Sequence, residues 1–256
     1  MRPMCKIVTI AGQKGGSGKT SLAVNLAASL SLLENKTLLV DCDPMGSATA
    51  AIGVATNGVS RDLGALFSGR AVPTDAVAET NLGFLDIIPA GFTLFHAASR
   101  LPRNSGNEKM LRTFLGSISD NYDYIIIDSP SSFSFLAAAA MAASDWLLIP
   151  LSCRAGSIAE FKTLLKMIRY IKKRLHLHLK IAGFVLNRCS KSEQEAFLRR
   201  EENGDIKGIV YRTTIPEDEL IPWCAGRGSP VALWDVESPG ARAYLNLARE
   251  VELFFS

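Results

Sequence analysis

The residues with the plainest chemical purpose lie near the start of the chain, in Lys14-Gly15-Gly16-Ser17-Gly18-Lys19-Thr20. Three glycines let consecutive backbone N–H groups turn inward around a phosphate, and a helix beginning near Lys19 aims its positive dipole end at the same point. Lys19 would neutralise the β- and γ-phosphates, and the Thr20 hydroxyl would ligate Mg2+. Gly15, Gly16, Ser17, Gly18, Lys19, Thr20 and Ser21 are therefore the expected nucleotide contacts. A glycine-rich turn with a stray lysine is the plainer alternative, but this order of residues after an apolar run is improbable at average residue frequencies. The loop departs from GxxxxGK[ST] at its first position, which holds Gln13, followed by Lys14.

Carboxylates stand at two further points. Val40-Asp41-Cys42-Asp43-Pro44 closes an apolar run and offers two acids, with an Asx turn as the purely structural alternative. Tyr124-Ile125-Ile126-Ile127-Asp128 has four apolar residues that bury a strand and an acid at its carboxyl end, placed for the Mg2+ shell. A charge directly after such a run is not buried without a partner.

These groups need a scaffold that brings strand ends together. Apolar runs at Cys5–Ala11, Thr37–Asp41, Leu82–Ile88, Tyr124–Asp128, Trp146–Leu151 and Lys180–Asn187 read as strands. Leu22, Leu26, Leu30 and Leu33 recur at helical spacing, and further helices are expected at Glu108–Ile118, Phe135–Ala143, Ser157–Leu175, Ser192–Asn203 and Gly240–Phe254. Strands apolar throughout imply helices on both sheet faces, hence an α/β fold with a doubly wound, mainly parallel sheet. Ligands of such sheets bind at the carboxyl ends of the strands. The most loop-like stretches are Asn57–Asn81 and Pro102–Asn107.

With 256 residues and 48% hydrophobic content, one α/β domain spanning 1–256 is the expected organisation. A net charge of +3 confines any basic surface to a local patch. Cys5, Cys42, Cys153, Cys189 and Cys224 show no CxxC spacing and read as reduced thiols, with neither a disulfide framework nor a zinc site. No apolar stretch reaches the roughly 18 residues of a membrane span and no signal region precedes Gly12, so a cytoplasmic protein is expected.

The leading lysine of KGGxGKT resembles the deviant Walker-A family of ParA, MinD and the nitrogenase iron protein. The resemblance implies that Lys14 reaches across a dimer interface to the partner's nucleotide, that the ligands are ATP and Mg2+, and that the phosphate loop is catalytic through Lys14 and Lys19. Asp41-Cys42-Asp43-Pro44 is similar to the family's D-x-D-P element. By that match Asp43 orients the attacking water, and Asp41 is the more structural acid, acting on the metal through bound water. Ser129-Pro130-Ser131 resembles the D-x-P-P switch with Ser131 in place of the second proline. Ala182–Asn187 and Thr214-Ile215-Pro216 resemble the base-side segments, which makes Asn187 the adenine contact with Pro216 flanking it.

Within the family, the segment from Ser229-Pro230-Val231 onward resembles ParA more than MinD. The C-terminus, with two acids and one base, is a poor membrane anchor. Lys162, Lys166, Arg169 and Lys173 recur along one face of a helix, widened by Lys172 and Arg174, and form either a solvated face or a sequence-independent DNA contact. Arg188, Lys191, Arg199 and Arg200 are secondary candidates, and the arginine common after Ile-Pro in the family is Glu217 here.

The expectation is thus a ParA-type ATPase, dimeric with ATP, bound to nonspecific DNA on the nucleoid and reset by a ParB-like activator. The alternative is a positioning ATPase acting on a membrane or protein cargo. An iron–sulfur protein is disfavoured because no cysteine lies in the switch after Asp128, and a tyrosine kinase because only Tyr244 lies near the C-terminus. The phosphate loop begins so early that no DNA-reading domain is expected before it.

Overall fold

The computed structural model describes residues 4–12, 15–55, 61–101, 106–131, 134–153, 157–199 and 210–256, with the side chains of 157–162 outside the description. Seven strands form one sheet: β1 (Lys6–Ile10), β2 (Thr37–Asp41), β3 (Ala78–Glu79), β4 (Leu85–Ile88), β5 (Tyr124–Asp128), β6 (Trp146–Ser152) and β7 (Lys180–Asn187). Their order is β3-β4-β2-β5-β1-β6-β7, parallel except for β3, which pairs antiparallel with β4 at one edge. The expected doubly wound parallel sheet is present.

Register sets the functional rim. Ile10 pairs with Asp128, and Asp128 with Asp41, so β1, β5 and β2 end at one level. The glycine loop follows β1 and therefore opens directly beside both carboxylates.

Side chains on successive strand residues point to opposite faces. Val8, Ile10, Leu39 and Ile126 join one core with α1 (Lys19–Leu32) and α10 (Pro239–Phe255). Ile7, Leu38, Val40, Ile125 and Ile127 join the opposite core with α5 (Met110–Gly116) and α6 (Phe135–Ala143). Helix α1 is buried nearly all round, and small or hydrogen-bonded polar residues such as Asn25 and Ser31 share that interior with its leucines and alanines. Leu22 and Leu26 are fully buried, each stabilising by about 1.5–3 kcal/mol. A third cluster joins β6 and β7 to α7 (Ser157–Arg174) and α8 (Lys191–Arg199), so the helix expected at 192–203 is described to Arg199.

Structure departs from expectation in two places. The stretch 57–81 contains α3 (Leu63–Phe67), capped by Asp62 accepting from the Ala65 N–H at 2.7 Å, and β3. Five-residue and two-residue elements are too short to leave a periodicity. The cysteines are not all thiols: Cys153 and Cys189 are joined by a disulfide, with Cα atoms 5.7 Å apart, whereas Cys5, Cys42 and Cys224 remain thiols. Pairing of Ser152 with Asn187 brings the exits of β6 and β7 together, a contact across 36 residues that spacing rules do not reveal.

Candidate functional site

The glycine loop is shaped by backbone that only glycine adopts readily. Gly16 has φ +78° and Gly18 φ +85°, both left-handed. Gly18 caps α1, whose first-turn N–H groups have no partner within the helix. A cavity of about 220 Å³ lies there, lined by Gly15, Gly16, Gly18, Lys19, Thr20, Ser21, Asp43, Ser129 and Ser131. Phosphate-loop residues and both segments after the acidic strands therefore meet around one space. Lys14 lies outside the described residues.

Lys19 is buried, which lowers its pKa, while Asp128 and Asp43 pull it back up. Asp128 is fully buried, and neither carboxylate oxygen has a hydrogen-bond partner at bonding geometry. Burial first and Asp41 second push its pKa well up; Thr20 and Lys19 favour the ionised form. A buried carboxylate beside the Thr20 hydroxyl and a buried ammonium, next to the cavity of the glycine loop, fits a hard cation held close to phosphate. Among the described residues no three His, Cys, Asp or Glu side chains converge on a metal, so such a cation would draw its remaining ligands from Thr20, phosphate and water.

Asp41 is equally buried, yet its oxygens are committed. Oδ1 accepts from the Asp43 N–H at 3.1 Å, and Oδ2 accepts from the Thr49 N–H at 2.8 Å and the Thr49 hydroxyl at 2.7 Å. Burial pushes Asp41 up to about 6, opposed by the Thr49 hydrogen bonds. Asp43 is only half-buried; its Oδ1 accepts from the Met45 N–H at 3.0 Å in an Asx turn, and it lines the cavity. Turn and cavity wall are compatible, because one oxygen suffices for the turn.

Thr49 was not legible as a site residue. It sits fully buried in α2 (Ser47–Ala51), and its hydroxyl also accepts from the Ala90 N–H at 3.0 Å. A threonine flanked by alanines shortly after D-x-D-P is the trace it leaves in the sequence.

Asn187 ends β7 and lies on the phosphate loop, its Nδ2 donating to the Ser17 carbonyl at 2.8 Å. A bridge between Asn187 and Ile215 brings Pro216 alongside, where it lines a neighbouring cavity of about 380 Å³ with Cys189, Lys191 and Thr214. Farther off, α7 buries Leu164, Met167, Ile168 and Ile171 and exposes Lys166, Arg169, Lys172, Lys173 and Arg174. The Lys162 side chain lies outside the described residues, as does Arg200. Arg188 is exposed but held at 3.0 Å by Glu217, the residue standing where the family's arginine is expected.

Residues 5–181 match a protein-family model described as an AAA domain. The sporulation initiation inhibitor protein Soj of Bacillus subtilis is 35% identical over 97% of this chain and 98% of its own length. The chromosome partitioning protein ParA of Myxococcus xanthus is 36% identical over 96% and 87%. Among solved structures, the septum site-determining protein MinD of Pyrococcus horikoshii, complexed with Mg-ADP, superposes with a TM-score of 0.81 at 27% identity, covering 97% of this chain and 96% of its own. With full-length relatives above 30% identity and the glycine loop, acidic strand ends and sheet order in place, this chain belongs to the ParA/MinD family of P-loop ATPases.

Proposed function

We propose that this protein is a ParA-type partition ATPase that binds Mg-ATP at the glycine loop, dimerises around it, holds DNA without reading sequence, and is reset when a ParB-like partner stimulates hydrolysis. The observation that carries the reading is the buried Asp128 carboxylate under the loop beside Thr20 and buried Lys19, an arrangement suited to holding a cation and a phosphate.

Thr20 and Asp128 would hold the magnesium ion, the latter directly or through water, and Asp41 would act only through water because its oxygens are occupied. When bound, that ion would supply positive charge against the charge developing on the terminal phosphates. Lys19 and the loop amides orient the γ-phosphate, and Asp43 orients the attacking water from the cavity wall; positioning is most of what phosphoryl transfer asks. Lys14, with a long stem and a point charge, would extend to the partner's nucleotide. Asn187 fixes its amide by donating one Nδ2 proton to Ser17, which leaves Oδ1 to accept from the exocyclic amine of adenine.

The basic face of α7 is the proposed DNA surface. Lys166, Arg169 and Lys173 are exposed and, among the described residues, form no ion pair, so their charges are free for phosphate. The protein would work in the cytoplasm, on the nucleoid. Retention of labelled nonspecific DNA in a gel at low salt, with ATP, ADP or no nucleotide, tests this. ATP alone is expected to give a shift, and Lys166→Gln with Arg169→Gln is expected to flatten the log–log salt slope by about 2. Equal binding in all three nucleotide states refutes the cycle. The Arg188–Glu217 pair, which removes one cation from that side, favours the second reading, positioning of a membrane or protein cargo. A blank gel with intact ATP-dependent liposome binding would select it.

A further inference from the structure

We infer that Thr49 is a positioning residue for hydrolysis, acting through Asp41 on Asp43; the inference rests on the reading of Asp43 as the residue that orients water. Thr49 is fully buried, and all its polar groups near the site are spent on two strand exits. Its N–H and hydroxyl both donate to Asp41 Oδ2, at 2.8 and 2.7 Å, and its hydroxyl oxygen accepts from the Ala90 N–H at 3.0 Å, just beyond β4. The other oxygen of Asp41 accepts from the Asp43 N–H at 3.1 Å.

One carboxylate thus joins the backbone of Asp43 to a helix residue that is itself pinned to the neighbouring strand exit. A carboxylate in a buried site turns about its terminal bond unless both oxygens are held, and two donors on Oδ2 remove that freedom. With Oδ2 fixed, Oδ1 is fixed, and the peptide of Asp43 follows. Loss of the hydroxyl alone would leave one donor on Oδ2 and an unpaired N–H at Ala90. The loop carrying Asp43 would then sample positions away from the cavity, while the phosphate contacts of Gly15, Gly16, Gly18, Lys19 and Thr20, on a different segment, remain.

The structure therefore separates rate from binding. Thr49→Val keeps the volume and the N–H and removes the hydroxyl; Thr49→Ser keeps the hydroxyl. Steady-state ATP hydrolysis, Mg-ATP affinity by calorimetry and thermal unfolding are measured on both, with Asp43→Ala alongside. Thr49→Val is expected to lower kcat about tenfold with affinity within about threefold of the parent, and Thr49→Ser to stay within about threefold in both. If Thr49→Val does not fold, Thr49→Cys, with a weak S–H donor, takes its place with the same expectation. A folded variant lacking the hydroxyl but hydrolysing at the parent rate overturns the inference, as does one whose affinity falls as far as its kcat, or a serine variant no better than valine. Asp43→Ala at the parent rate would instead remove the reading of Asp43 on which the inference stands, an outcome distinguishable from failure at Thr49.

Discussion

Substitution of Gly18 by alanine tests the loop geometry together with the contact that Asn187 makes with it. Gly18 has φ +85° and ψ 25°, where an L-residue is disfavoured by about 1–2 kcal/mol. A Cβ built there would also lie 2.0 Å from Asn187 Nδ2 and 3.2 Å from its Cγ. Because the nearer atom is the end of a side chain, Asn187 turns away and forfeits its bond to the Ser17 carbonyl, a further loss of roughly 1 kcal/mol. Together these amount to about 2–3 kcal/mol. The free loop escapes both penalties by opening, whereas the nucleotide-bound loop cannot, so the loss falls on binding and the melting temperature moves by only about 4 °C or less. Titration calorimetry with Mg-ATP should then show affinity reduced roughly 30- to 150-fold, against tenfold or less for Asn187→Ala, which loses the hydrogen bond without the backbone strain. A Gly18→Ala protein binding Mg-ATP within about threefold of the parent would refute the loop conformation described above.

Two other groups make opposite demands on solution conditions. His176 joins Arg112 and Asp145 below the opposite sheet rim, its Nε2 accepting from Arg112 at 3.0 Å, and burial first and Arg112 second lower its pKa beneath the ordinary 6.5. The unfolded chain therefore takes up its proton at higher pH than the folded one, so this contribution to stability is fully present above 6.5 and is lost as pH falls from 6.5 through the folded value; melting curves between pH 7.5 and 5 should fall less steeply for His176→Gln, and parallel curves would reject the assignment. Glu217 neutralises Arg188 at 3.0 Å, so Glu217→Gln should strengthen ATP-dependent DNA binding and steepen its log–log salt slope by about 1, and a gel shift unchanged in both respects would exclude Arg188 from the surface.

The parts of the site that lie consecutively in the chain were legible: the glycine loop between strand and helix, Asp41 and Asp128 at the ends of apolar runs, and the basic face of α7. Periodicity and turn chemistry act over a few residues and leave a trace there. What was not legible came from register and from short elements. The helix α4 (Phe92–Arg100) is only nine residues long, buries Leu94 and Ala97 and exposes Phe92 and Phe95, stacked with centroids 5.6 Å apart, so its run of inward apolar positions is too short to single it out. The disulfide and the contact of Asn187 with Ser17 join residues 36 and 170 positions apart through the sheet.

A deeper difference separates the two rim carboxylates. Asp41 and Asp128 follow equivalent apolar runs, pair with each other in register and are both fully buried, so the apolar pattern alone does not distinguish their roles, which the sequence suggested only through the resemblance of Asp41-Cys42-Asp43-Pro44 to D-x-D-P. Thr49 and the backbone of Asp43 saturate Asp41, whereas Asp128 is left with two unpartnered oxygens. Since a buried carboxylate without hydrogen bonds is costly, Asp128 is the acid suited to take a metal ligand, whereas the oxygens of its neighbour are already committed. Exchange of the two acids for asparagine, one at a time, should accordingly have opposite consequences for the protein free of nucleotide: Asp128→Asn raises the melting temperature by removing a desolvated carboxyl set against Asp41 while weakening Mg2+-dependent ATP binding, and Asp41→Asn lowers it by placing an amide against the donors of Thr49. Differential scanning calorimetry without nucleotide decides the matter, and two variants shifted in the same direction would undo the division of labour between metal-facing and loop-holding carboxylates.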